Sequence, residues 1–274
     1  MKKASPVHQL RDLQDVHRIR EDDPYFSGTL AKGLMILECF VRDPRPHANS
    51  ELAQRLGLPR PTVSRLCRSL QTLGYLDHDE RLDRYFVGPA AVALSYPYAI
   101  NTPLLGQLRA PMQALADRVQ GAVSVGVIMD LDVVYVETCA YQDGTLKRPG
   151  VGAVRGVLET AMGRAGLAQL PAPAQSQFLR RARRLRPEEY ARCIAPTRDS
   201  LAHYGSRGFS VNLGDTGFGV FAVGVASRIH YGPRQLLFNC AVPGMQVHAR
   251  ELLEQVGPSL AHLVGVANRL ATSK

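Results

Sequence analysis

ELAQRLGLPRPTVSRLCRSLQTLGYL, residues 51–76, is the stretch that decides the fold. Gly57-Leu58-Pro59 separates two helical patterns. Glycine ends a helix in the left-handed conformation, and proline in a first turn gives up an amide that has no intrahelical partner. The spacing predicts a helix over 50–56, capped by Asn49 or Ser50, then a tight turn and a helix over about 59–73, closed by Gly74. At about 100° per residue, Val63, Leu66, Cys67, Leu70 and Leu73 share one face of the later helix. Pro61, Arg65, Arg68 and Thr72 share the opposite face, with Ser64 on its flank.

That helix has an apolar back and a cationic front. From Leu58 to Gly74 it carries Arg60, Arg65 and Arg68 and no carboxylate. A guanidinium reads guanine O6 and N7 with two hydrogen bonds, or clamps phosphate. Thr62 and Ser64, near the helix start, are placed to donate to phosphates or base edges, and Ser50 opens the preceding helix. The bland alternative is an amphipathic helix whose arginines are merely solvated. Against it stands the context of helix, turn, helix and wing.

Working outward, Leu30, Leu34, Leu37 and Val41 give a helical 4-3-4 pattern that starts at Ser27 and stops at Asp43-Pro44-Arg45-Pro46. Tyr75-Leu76 and Tyr85-Phe86-Val87 read as short strands joined by a polar wing loop, with Arg81 and Arg84 placed to touch DNA backbone or minor groove. Residues 1–26 read as a flexible or partly helical arm, 27–90 as a DNA-binding domain, 91–110 as a linker helix and 111–274 as a second domain.

Leu105, Leu108, Met112, Leu115 and Val119 repeat at 3-4-3-4, and Pro111 predicts a break between linker and new helix. Residues 123–129 and 133–139 are β-branched runs around Asp130-Leu131-Asp132, a hairpin signature. Helices are expected over 160–170, 174–184 and 197–206, strands over 218–227 and 235–242, and a last helix over about 247–270. The arginine run of 180–186 reads as a solvated helix surface, with an anion patch as the lesser reading.

The chain has 274 residues, room for two domains, and a net charge of +9, which favours phosphate-rich partners. No apolar run reaches the ~20 residues of a membrane span, and no secretory leader opens the sequence. The expectation is therefore the cytoplasm, with no membrane partner. The five cysteines form no C-x-x-C pair, and the eight histidines offer no helical ligand pair with a third ligand near. No metal and no cofactor is expected. There is no phosphate-binding loop, no G-x-S-x-G elbow and no set of nucleophile, base and orienting group.

These residues resemble the IclR family of bacterial transcription regulators. Residues 30–38 are similar to that family's opening helix, 51–66 to its helix-turn-helix, and 73–76 with 84–88 to its wing. Thr160 to Ala168 is similar to its small-residue helix start, with Arg164 where lysine is more usual. Arg207-Gly208-Phe209-Ser210 followed by Gly219 resembles its late glycine-aromatic motif. The resemblance implies an α+β chain: a winged helix-turn-helix, a linker helix, and an α/β effector-binding domain on a mainly antiparallel sheet of the GAF/profilin kind.

It implies double-stranded operator DNA as partner, a small organic effector, aromatic or carboxylate, and a homodimer or homotetramer whose DNA domains pair through the first helix and linker. It places the effector between the small-residue helix start and the sheet. That implicates Leu158, Ala161, Met162 and Gly163, Asn212 and Asp215 in a loop, and Ala222, Asn239 and Ala241 on late strands. Phe209, Phe221 and Phe238 nearby are expected to make the pocket less polar and to favour an apolar or aromatic effector. The alternatives are that these residues are closed core, that the regulator has no ligand, or that the sheet domain is an enzyme with an accessory winged helix.

Overall fold

A computed structural model of the chain describes residues 13–142, 149–215, 219–245 and 247–272. The chain forms two compact units, residues 1–101 and 102–274. The expected arm at 1–26 is helical over α1, Leu13–Asp22, and its first twelve residues lie outside the described residues.

In the first unit, α1 is followed by α2, Gly28–Arg42, α3, Asn49–Leu56, and α4, Arg60–Thr72. Ser27 caps α2 by accepting from the Leu30 amide. Ala31, Met35, Ile36, Cys39 and Phe40 of α2 pack on Leu52, Ala53 and Leu56 of α3 and on Val63 and Cys67 of α4. Each of the larger ones, Met35, Ile36, Phe40, Leu52, Leu56 and Val63, contributes about 1.5–3 kcal/mol on burial. The core therefore fixes α3 and α4 as one rigid pair. Leu73, expected inside, is the C-cap of α4 and is exposed. The wing is an antiparallel pair, β1, Leu76–Asp79, and β2, Arg84–Val87. Its turn is closed by Asp79, whose carboxylate accepts from the Arg81 and Leu82 amides. His47 adds an isolated bridge to Tyr85. Two short helices, α5, Pro89–Ala93, and α6, Ser95–Ile100, complete the unit.

The second unit opens with α7, Pro103–Arg118. The expected break at Pro111 does not occur. Leu105, Leu108, Met112 and Leu115 are all buried, and that burial outweighs the ~3 kcal/mol a proline costs inside a helix. Strands follow: β3, Ala122–Met129, β4, Asp132–Ala140, and the short β5, Val154–Gly156. Then come α8, Ala161–Ala168, α9, Ala172–Leu185, and α10, Pro187–Arg207, which continues through Pro196 and exceeds the expected 197–206. Next are β6, Ser210–Leu213, β7, Val220–Tyr231, and β8, Arg234–Pro243. The C-terminal segment is α11, Ala249–Glu251, a π-helical turn, Leu252–Val256, and α12, Gly257–Thr272. Among the described residues no helix is long and apolar enough to cross a membrane.

The sheet order is β5-β4-β3-β8-β7-β6, and every pairing is antiparallel. Successive side chains of a strand point to opposite faces. One face meets α7 and α12 through Val123, Val125, Val223, Val225, Phe238 and Cys240. The other meets α8, with Tyr135, Leu237 and Met162 in contact there. The arginine run is neither a solvated surface nor an anion patch throughout. Arg181 binds the Asp130 carboxylate, and Arg186 binds Asp132, the Leu131 carbonyl and Glu189, pinning the β3–β4 turn.

Candidate functional site

On the first unit, the buried back of α4 presents the opposite face outward. Arg60, Pro61, Arg65, Arg68 and Thr72 are exposed, and Thr62 is half-buried. Among the described residues the guanidiniums of Arg60, Arg65 and Arg68 have no carboxylate partner. Thr72 is less available than expected, because its hydroxyl donates to the Arg68 carbonyl within the helix. The N-terminus of α3 adjoins this face. Ala48 is its N-cap rather than Asn49 or Ser50. The Asn49 amide is used otherwise, donating to Ser64 Oγ at 2.8 Å and tying the start of α3 to α4, while Ser50 stays exposed. Arg81, at the tip of the wing, is exposed as well.

Arg84 is placed differently from the expectation. Its guanidinium donates to the Pro46 carbonyl and to Glu51, each at 3.1 Å, so it braces the base of the wing against α3. Glu51 also accepts from the Ala48 amide at 3.1 Å, and Arg45 reaches it at 3.2 Å. That amide, with the charges of Arg45 and Arg84, outweighs desolvation and holds the Glu51 carboxyl at about 2. This bracing network was not read from the sequence. Its residues are 33 or more apart where the wing is involved, and no local pattern announces such a pair.

On the second unit, strand register sorts the expected effector residues into two groups. Asn239 pairs with Ser124 on one side and Gly224 on the other, and Ala241 pairs with Ala122 and Ala222. Asn212 pairs with Ala222, Ser210 with Gly224, and Thr138 with Ser124. Two rows therefore cross the α8 face: Thr138, Ser124, Asn239, Gly224 and Ser210, and Ala140, Ala122, Ala241, Ala222 and Asn212. A bulge between Val125 and Gly126 shifts β4 so that both Tyr135 and Thr138 reach this face. The start of α8 lies directly on Gly224, where a Cβ would meet Ala161 C at 2.3 Å and Met162 N at 2.4 Å. Ser210 Oγ donates to the Ala161 carbonyl, Thr160 Oγ1 accepts from the Gly163 amide, and Asn212 Nδ2 donates to the Glu159 carbonyl at 2.7 Å.

The three phenylalanines are not in this group. Phe209, Phe221 and Phe238 all face α7 and α12. Phe238 lies next to Asn239, so strand alternation alone sends the two to opposite sides. The same parity separates Phe221 from Ala222. Phe209 meets Gly257 at the start of α12. The expected phenylalanine lining is thus replaced, along these two rows, by small and polar side chains. Leu158 contributes its side chain to a different cluster, with Leu131, Leu167 and Cys193.

Asp215 is engaged with Arg164, 2.7 Å from Nη1 in an ion pair off the hydrogen-bond line. Arg164 is fully buried and donates to the Leu158 carbonyl at 2.9 Å and the Val211 carbonyl at 2.7 Å. It ties the approach to α8 to the outer edge of β6. Among the described residues no three His, Cys, Asp or Glu side chains cluster to hold a metal ion.

Residues 29–80 match the IclR helix-turn-helix domain family, and residues 97–257 match the bacterial transcriptional regulator IclR C-terminal family. The chain is 29% identical over 253 residues to the HTH-type transcriptional regulator TsaQ1/TsaQ2 of Comamonas testosteroni, covering 90% of this chain and 89% of that one. It is 26% identical over 251 residues to the Pca regulon regulatory protein of Pseudomonas putida, covering 85% and 86%. An IclR family transcriptional regulator from Brucella abortus superposes with a TM-score of 0.79 at 28% identity, covering 92% of this chain and 95% of that one. These matches span both units, and the families they define are of transcription regulators, not enzymes. The sequence-level resemblance is thereby confirmed: this chain belongs to the IclR family of bacterial transcription regulators.

Proposed function

We propose that the chain reads a palindromic operator in the cytoplasm as a symmetric oligomer, with α4 in the major groove and the wing on the backbone. The observation that carries this reading is the outward face of α4. Arg65 and Arg68 stand free of carboxylates among the described residues, on a helix whose back is locked by Val63 and Cys67. Arg60, Thr62, Ser64 and Ser50 flank them, and Arg81 extends the contact at the wing tip. Arg84 acts through Glu51 as a positioning residue.

Pairing of two copies is supported by α2. Leu30 and Leu34 are 63% and 49% exposed and Val41 is 50% exposed, an apolar stripe turned away from the unit's own core. Half-sites one helical turn or a multiple apart follow from two-fold symmetry. The oligomer is a dimer or a pair of dimers.

We further infer that a small organic carboxylate binds over the α8 face of the sheet, at Ala161, Met162 and Gly163 and the Asn239, Ala241, Ala222 and Asn212 positions. A first helical turn, whose amides lack intrahelical acceptors, and the small side chains of the alanine row support this reading. Asp215 supports this site through Arg164 rather than by contact.

Selection of bound duplexes from fragmented genomic DNA, followed by salt titration of binding, tests the DNA reading. The expected result is one enriched palindrome with a steep salt slope that falls by about 1 for Arg81→Ala. Enrichment of no sequence contradicts it. A thermal-shift screen with keto acids, dicarboxylates and aromatic acids tests the effector reading. A rise in melting temperature with one class is expected, and no shift with any contradicts it.

A further inference from the structure

Asn49, the first residue of α3, donates its side-chain amide to Ser64 Oγ on α4 at 2.8 Å. Packing does not ask for this bond. Leu52, Ala53 and Leu56 already hold α3 against Val63 and Cys67, and Ser64 lies outside that core, exposed on the flank of the outward face. What the bond fixes is the polarity of one hydroxyl. Serine has one hydrogen to give and two lone pairs. A hydroxyl that accepts from Asn49 sends its hydrogen elsewhere, and the bond it receives strengthens the one it gives. Further along α4, Ser69 and Thr72 spend their hydrogens within the helix, on the Arg65 carbonyl at 3.0 Å and the Arg68 carbonyl at 2.9 Å. Ser64 makes no such bond one turn back, and among the described residues its hydrogen has no acceptor.

The surroundings of Ser64 say what that acceptor is. Arg65 adjoins it, Arg60 and Arg68 stand one turn before and after it, and guanidiniums only donate. The surface that meets this face therefore supplies acceptors. The major groove offers guanine O6 and N7, adenine N7 and thymine O4, and the backbone offers phosphate oxygens. We propose that Asn49 is a positioning residue that makes Ser64 a hydrogen-bond donor to one such acceptor of the DNA. This rests on the DNA reading above and adds to it a side chain that acts without touching DNA. Aspartate at position 49 reverses the polarity. Its carboxylate takes the Ser64 hydrogen, keeps the link between the two helices, and leaves only lone pairs facing the DNA.

Fluorescence anisotropy of the full chain on the selected palindrome tests it, with wild type, Ser64→Ala, Asn49→Asp and the double variant. Ser64→Ala should bind about 3- to 10-fold more weakly, the worth of one hydrogen bond. Asn49→Asp also brings a negative charge toward the DNA, and the Ser64→Ala background measures that cost alone. The loss caused by Asn49→Asp should be about threefold or more larger in the wild-type background than in the Ser64→Ala background. An acidic side chain suits a first helical turn, so the melting temperature should hold. A merely structural link survives Asn49→Asp and gives equal losses in the two backgrounds. Equal losses overturn the inference and leave the DNA reading standing, as does Ser64→Ala binding as tightly as wild type. A Ser64→Ala loss that disappears when one base pair of the half-site is changed assigns the acceptor to a base edge, and the same loss on a scrambled duplex assigns it to phosphate. Enrichment of no palindrome overturns the DNA reading and the inference with it.

Discussion

Arg84 Nη1 donates to Glu51 Oε2 at 3.1 Å, joining the base of the wing to the first turn of α3. Glu51 also caps α3 by accepting from the Ala48 amide, and the same carboxylate lies 3.5 Å from Nδ1 of the fully buried His47. One carboxylate therefore organises the connection between the two parts of the DNA-binding unit. The wing's orientation relative to α4 depends on a charge that the DNA never needs to touch.

That carboxylate gives an acid-side prediction. Glu51 sits at about 2 in the folded unit, through the Ala48 amide first and then the charges of Arg45 and Arg84. Its unfolded value is about 4.3. The folded value is the lower one, so the stabilisation is complete above the unfolded value and is lost as the pH falls from about 4.3 toward 2. Circular-dichroism melts from pH 7 to 2 should show Glu51→Gln less stable than wild type near neutrality, with the gap closing below about pH 4. A gap that is constant with pH contradicts this role.

The ion pair of Arg164 with Asp215 predicts an asymmetric pair of variants. Removing the carboxylate leaves a guanidinium that is 0% exposed without its counter-charge. Asp215→Ala should destabilise the second unit by about 3 kcal/mol in urea unfolding, the low end for breaking a buried pair because Asp215 keeps some contact with solvent. The double change Arg164→Met with Asp215→Ala should recover part of that loss. A double variant no more stable than Asp215→Ala alone contradicts it.

Phe238 belongs to the face of the sheet that α7 and α12 cover. Phe238→Leu should therefore cost stability, about 1 kcal/mol for a small change of shape in a packed core, and leave effector affinity within about twofold. A selective loss of aromatic ligands in Phe238→Leu would return the ring to the site.

The sequence carried the first unit well and the second unevenly, for physical reasons. The α3–α4 pair was legible because a period of 3.6 and the Gly57-Leu58-Pro59 punctuation are local signals. The stripe at Leu30, Leu34 and Val41 was legible as a helix face, but periodicity does not say whether such a face meets its own core or another surface. Pro111 misled because tertiary burial of Leu108 and Met112 overrides the local cost of proline. The three phenylalanines were misplaced although parity could have placed two of them, since Phe238 adjoins Asn239 and Phe221 adjoins Ala222. The burial of Arg164 and the bracing role of Arg84 depend on partners 47 and 33 residues away, and no window of sequence contains them.

Operator reading by the outward face of α4 is the proposal on which the other DNA contacts depend. Once a bound palindrome has been selected, fluorescence anisotropy of wild type and Arg65→Ala on that duplex and on a scrambled one measures the claim directly. The specific-to-scrambled affinity ratio should fall by about 10- to 100-fold in the variant, the worth of one bidentate base contact, while its melting temperature is unchanged. A ratio equal to that of wild type would contradict it.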